Sequence, residues 1–208
     1  VSLESNLQAI FEAERALRRA EVDLLRGEPK QLSDLLSHAV AQAKAETDPH
    51  EAELRLARLA DLCAQVPGET MAEALIAILD EEQPSVRVQA AEALVDVAYD
   101  RYAEVARAIE RTLASGASGP AMRELPWVIA EIAEPSAVAL ISGFLTHADG
   151  EIVASAVEAL TRLGDPSAVP ALRKLLDDPR VVTIEEADEE LTSTVGELAS
   201  EALAALAE

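Results

Sequence analysis

Residues Ala74–Ala98 read ALIAILDEEQPSVRVQAAEALVDVA. Leu75 and Leu79 stand four apart, on one face of a helix. Asp80 closes that helix, and Pro84 opens the next one, because the first helical position has an unpaired N–H that proline does not need. Beyond it Ala90, Leu94 and Ala98 recur at spacing four and define one apolar stripe. The stretch therefore reads as helix, short turn, helix, with neither helix able to bury its stripe alone.

The end of this stretch returns along the chain. LVDVA from Leu94 is one of five copies of a phrase made of an aliphatic, two free positions, an aliphatic and a small residue. The others are LADLC from Leu59, IAEIA from Ile129, LTRLG from Leu160 and LAALA from Leu203, at intervals of 35, 35, 31 and 43 residues. Such periods mark stacked supersecondary units that share a continuous core. Upstream of the later copies stand the pairs Leu75 and Leu79, Ile109 and Leu113, Ile141 and Leu145, and Leu172 and Leu176. The second member precedes its phrase by 15, 16 and 15 residues, then by 27 in the last unit.

The spacing predicts helices over 3–26, 30–46, 49–66, 69–80, 84–98, 101–115, 119–134, 135–147, 151–164, 166–177 and 190–207. Asp48-Pro49 and Asp165-Pro166 mark helix starts, and Asp48 with Glu51 fits a capping box. Residues 1–28 form an N-terminal cap or docking helix, with Leu3, Leu7, Ile10, Leu17 and Leu24 at three-four spacing. Residues 29–208 form the repeat array. The excess length of the last unit falls on Arg180–Glu190, an acidic insert expected as an irregular, exposed loop. No strand is expected, for want of a period-two run of β-branched and aromatic residues.

Composition narrows the function. The 208 residues carry 39 acids against 17 bases, a formal charge of −22, so phosphate backbones and anionic membrane surfaces are poor partners. Half the residues are hydrophobic but only 2% are aromatic, which suits small-residue helix packing. Cys63, the only cysteine, fits the small-residue slot of its phrase as a buried thiol. No segment reaches the roughly 18 apolar residues of a membrane span, and no basic stretch leads into an apolar run at the N-terminus. Cytoplasmic residence is the expectation, although the native start is not fixed by a chain that opens on Val1.

The helix pair at 74–98 resembles a HEAT repeat, in particular the short bacterial HEAT-like kind of phycobilin lyases. The resemblance rests on the aliphatic first helix, the Asp80 turn, Val86-Arg87 at the start of the second helix, and Ala90, Ala91 and Leu94. LGDPSAVPAL at Leu163–Leu172 matches the inter-repeat junction of that kind. It covers residues 30–207, although only Arg87 keeps the Val-Arg dipeptide. The fold it implies is all-α, a right-handed α-solenoid of about five helix pairs with an N-terminal cap helix.

The activities of similar proteins are tested by residues. Deoxyhypusine hydroxylase holds its iron with several His-Glu pairs, and only His50-Glu51 stands here. HEAT-like DNA glycosylases present a basic face, which this composition lacks. A phycobilin lyase needs a large tetrapyrrole pocket, and four Phe and Tyr residues offer little lining for one. His38, His50 and His147 share no metal spacing and no phosphate loop is present. No cofactor or metal is expected.

In this resemblance the second helix of each pair lines the concave side. Two residues after each phrase aliphatic stand Asp61, Asp96, Glu131, Arg162 and Ala205. Two before stand Ala57, Glu92, Trp127, Glu158 and Glu201. Both positions point away from the buried stripe. Asp61, Glu92, Asp96, Trp127, Glu131, Glu158 and Arg162 are the candidate partner-binding residues, an acidic ladder with the only tryptophan near its middle. Pro126 leaves two placements open for Trp127, the groove or, after a kink, the core. The reading favoured is a non-enzymatic scaffold that binds a basic peptide or protein segment. A bilin-lyase-type enzyme and a connector that self-associates through its first helix are the alternatives.

Overall fold

Proline and acidic caps set most helix starts. In the computed structural model, which describes residues 2–132, 134–186 and 189–207, Pro49, Pro84 and Pro120 each occupy the first turn of a helix. The helices are α1 (Leu3–Leu25), α2 (Pro29–Lys44), α3 (Pro49–Gln65), α4 (Glu69–Leu79), α5 (Pro84–Ala114), α6 (Pro120–Ala130), α7 (Ala137–Phe144), α8 (Gly150–Leu163), α9 (Val169–Leu172) and α10 (Val195–Ala205). The Asp48 carboxylate accepts the His50 and Glu51 N–H groups at 3.0 and 3.4 Å. The expected return from Glu51 is not made: its carboxylate takes Arg55 at 2.7 Å. A reciprocal capping box does occur at Thr194 and Glu197, where α10 begins.

The helices form two layers. On the inner one α3, α5, α6, α8 and α10 pack in succession, and on the outer one α2 meets α4, α4 meets α5, and α5 meets α7. Among the described residues this is a helical repeat solenoid of five helix pairs preceded by α1, with one β-hairpin in the last pair. One helix serves both layers. The two segments expected at 84–98 and 101–115 are a single α5 with a break at Arg101 (φ −138°, ψ 45°). The first part is an inner helix, the second an outer one. Arg101 ties the elbow down by donating to the Ala64 carbonyl at 2.5 Å, while Glu104 accepts the Gly68 N–H at 2.8 Å.

Leu94, Ile129 and Leu160 are fully buried between neighbouring pairs. Leu59 and Leu203, the terminal copies, are only half-buried. In α3 the buried stripe is Ala52, Leu56, Ala60 and Cys63, rotated by about one residue from its counterpart in α5. Ala133, which completes the IAEIA phrase, lies outside the described residues. Across the outer layer Glu69 takes both Arg107 and Arg111, and Glu73 takes Arg111 at 2.6 Å. Those arginines, Arg111 first, hold the Glu69 carboxyl below its ordinary range.

Two expectations about the last unit are corrected. The insert is a β-hairpin, β1 (Val181–Glu186) antiparallel to β2 (Glu189–Thr194), with Val181 opposite Thr194 and Glu186 opposite Glu189. The β-branched run Val181, Val182, Thr183 and Ile184 suits a pleated strand better than a loop, and Val182 is 1% exposed. Ala187 and Asp188 of the acidic insert lie outside the described residues. The helix expected over 166–177 is a 3₁₀ turn (Pro166–Ala168), the four-residue α9 and a second 3₁₀ turn (Arg173–Leu175). Pro170 within it has no N–H to give to a longer helix.

α1 packs on the array only near its C-terminal end, through Leu24 and Leu25 and an ion pair between Glu21 and Arg58 at 2.5 Å. None of its residues is fully buried. The shielding of the first core expected of a cap helix is confined to that end, because Leu3, Leu7 and Ile10 face solvent and Leu17 only borders an open cleft with α3.

Candidate binding cleft on the inner helices

The position of Trp127 follows from how α6 begins. Gly119 takes φ +138° and Pro120 occupies the first turn, so Ala121 supplies the first free N–H, which the Asp80 carboxylate accepts at 3.2 Å. From there Ala121, Met122, Leu125, Val128 and Ile129 turn into the core. Pro126 is buried inside α6, and the helix continues past it. Trp127 is half-buried, packing on the core and also lining an open cleft.

That cleft, about 400 Å³, lies between α5 and α6. Ala91, Val95 and Val128 supply its apolar lining, and Glu92, Asp96, Glu124 and Glu131 surround Trp127 with carboxylates. Arg162 reaches in from α8. Its guanidinium stands 5.9 Å from the Trp127 ring centroid, a cation–π distance, and donates to the Glu131 carboxylate at 2.6 Å. The Tyr99 hydroxyl donates to the Glu131 carbonyl at 3.2 Å. Arg162 and Glu131 remain 57% and 46% exposed, so the pair is open to exchange. Glu92 and Asp96 make no ion pair among the described residues.

Five of the seven candidate residues are thus brought together: Glu92, Asp96, Trp127, Glu131 and Arg162. Asp61 is elsewhere. It accepts from Gln89 at 2.7 Å and Arg58 at 3.2 Å and lines a separate cleft of about 610 Å³ where Leu17 of α1 faces Leu54 and Ala57 of α3. Glu158 sits on α8, partly buried, and does not line the Trp127 cleft. Burial, and then the neighbouring Glu151 charge, push its carboxyl above the ordinary glutamate value. Sequence reasoning missed Glu124, although its place three residues before Trp127 sets it on the same helix face.

Other reactive groups have structural roles. His147 Nδ1 accepts the Asp149 N–H at 3.0 Å, and its Nε2 donates to the Ala117 carbonyl, also at 3.0 Å. Burial pushes the Cys63 thiol up to about 12. Among the described residues no three metal-ligating side chains converge, and no helix is long and apolar enough to cross a membrane.

The layered helix pairs define the class, an α-solenoid. Residues 112–191 match the family model described as HEAT repeats, so that stretch is similar to HEAT repeats. No curated protein matches the chain. Among solved structures, an engineered protein is 20% identical, with 94% of this chain and 92% of that one covered at a TM-score of 0.38. Computationally designed armadillo repeat proteins for modular peptide recognition are 20% identical, with 93% of each chain covered at a TM-score of 0.36. A designed armadillo repeat protein in complex with the peptide (KR)4 is 20% identical, with 92% of each covered at a TM-score of 0.37.

Proposed function

We propose that this chain is a non-enzymatic interaction scaffold whose inner-helix cleft holds a basic segment of another protein, with an arginine of that segment stacked on Trp127. The observation that carries the reading is the seat taken by Arg162. The chain's own guanidinium lies against the only tryptophan and is neutralised by Glu131, at a surface where it stays exposed. An incoming arginine entering the cleft meets Trp127 and the carboxylates of Glu92, Asp96, Glu124 and Glu131. Arginine suits such a site better than lysine, because its planar guanidinium stacks and bonds a carboxylate at once.

Trp127 is the sole tryptophan, so its fluorescence reports on this cleft alone. Titration with an arginine-rich peptide is expected to change that emission saturably, more than a lysine-rich peptide of equal charge does. Added salt should weaken the effect, since exposed charges are screened beyond about 8 Å at physiological ionic strength. Trp127→Ala should weaken binding, measured by calorimetry, by about 2 kcal/mol or more, and loss of a single rim acid by about 1 kcal/mol or less. Melting of the same variants separates a binding effect from a folding one. Unchanged affinity in intact Trp127 and Glu131 variants would move the site away from this cleft.

A further inference from the structure

α1 is 23 residues long and buries none of them. Leu3, Leu7, Ile10 and Leu17 follow the four-three spacing of a coiled-coil seam, with Phe11 beside it. They are 89%, 51%, 62% and 40% exposed, and Phe11 49%. Contiguous apolar surface of this kind on a soluble protein marks an interaction site. We propose that it is covered by α1 of a second copy of this chain, running antiparallel.

Charge argues for a second copy at this place. The chain carries −22 overall, which opposes approach of another copy over most of its surface. Within α1 five acids are interspersed with three arginines, Arg15, Arg18 and Arg19, so two copies of this helix can set charges of opposite sign against each other. Direction follows from the interruptions of the seam. Glu14 and Glu21 occupy seam positions, and a parallel pair would set each against its own copy. Antiparallel pairing sets them opposite other residues. It also brings together the flank on which Glu4, Phe11 and Arg18 recur every seven residues. Glu4 then lies beside Arg18 of the second copy, and Phe11 beside Phe11 near the two-fold axis.

Anchoring fits the same arrangement. Pairing centred on Phe11 overlaps residues 3–19, roughly 25 Å of helix at 1.5 Å per residue. That leaves Glu21, Leu24 and Leu25 on their own array, where they already pack. So short a seam gives a weak dimer set by concentration. The proposal does not depend on the Trp127 cleft, which lies on α5 and α6.

Sedimentation velocity on the full chain, from low to high micromolar, tests it. A monomer–dimer equilibrium is expected, lost in Ile10→Glu. Melting of Ile10→Glu should be unchanged when read at a concentration where the wild type is monomeric. Glu4→Arg and Arg18→Glu should each raise the dimer dissociation constant roughly tenfold, and the two together should restore it. A wild type that stays monomeric, a dimer that survives Ile10→Glu, or a fall in monomer melting would overturn the proposal. Charge variants without mutual restoration would overturn the antiparallel pairing.

Discussion

A Cβ placed on Gly119 would stand 2.6 Å from the Asp80 carboxylate oxygen that caps α6. One repeat's turn therefore sets the start of the next inner helix but one, and only glycine fits the space and the φ of +138°. Gly119→Ala is expected to cost about 1–3 kcal/mol, from backbone strain and from the displaced cap. Asp80→Ala alone should cost about 1 kcal/mol, the usual value of an N-cap. In the double variant the second loss should be smaller than in isolation, because the clash has already moved the carboxylate. Thermal melting of the four-member cycle measures this.

The hairpin contributes to the fold. Val182 is buried, and Arg180 donates to the His147 and Ala148 carbonyls at 2.7 and 3.0 Å while Asp178 holds its guanidinium at 2.6 Å. Val182→Ala should lower stability by roughly 1–3 kcal/mol in chemical denaturation. Deleting residues 181–194 should lower the melting temperature clearly, whereas a passive loop of that length would change it little.

Glu158 gives a pH dependence of definite sign. Its folded-state pKa lies above the ordinary 4.5, through burial and then Glu151. The folded state thus holds its proton more tightly than the unfolded chain, and stability falls as pH rises from 4.5 through the raised value. Glu158→Gln removes that penalty. The variant should melt higher than wild type at neutral pH, and the gap should close as pH falls below the ordinary carboxylate range.

Cys63 should be inert in the native state. Its burial and a thiol pKa of about 12 leave little thiolate at pH 8. A maleimide should label it only as the array opens, at a rate that rises with denaturant. Fast labelling in native buffer would show the first helix pair to be open.

The repeat phrase made the stack legible, because each copy must bring an aliphatic and a small residue to the same contact. Leu94, Ile129 and Leu160 fill that contact as expected. The first copy departs, since a 35-residue interval fixes equivalence along the chain but not rotation about the helix, and Leu56 takes the buried place beside a half-buried Leu59. The hairpin was hidden by its neighbours: four β-branched residues followed by acids read as a solvated loop until the pairing with residues 189–194 is seen. For the cleft, Trp127 and its acids were visible from position alone. The Arg162 contact was not, because it joins positions on either side of the phrase aliphatic in adjacent repeats.

Arg101 has a consequence for how the molecule opens. Repeat arrays ordinarily come apart at the loops between units, each opening against its neighbours. Here no loop separates the second pair from the third, for α5 passes from one layer to the other through a single bent residue. Fraying of the third pair's outer helix pulls on the helix that carries Glu92 and Asp96, and the clamp on Ala64 and Gly68 draws in the first pair's end as well. Amide exchange across these two pairs should therefore proceed as one cooperative step. The wall of the cleft is preserved or lost whole, never one repeat at a time.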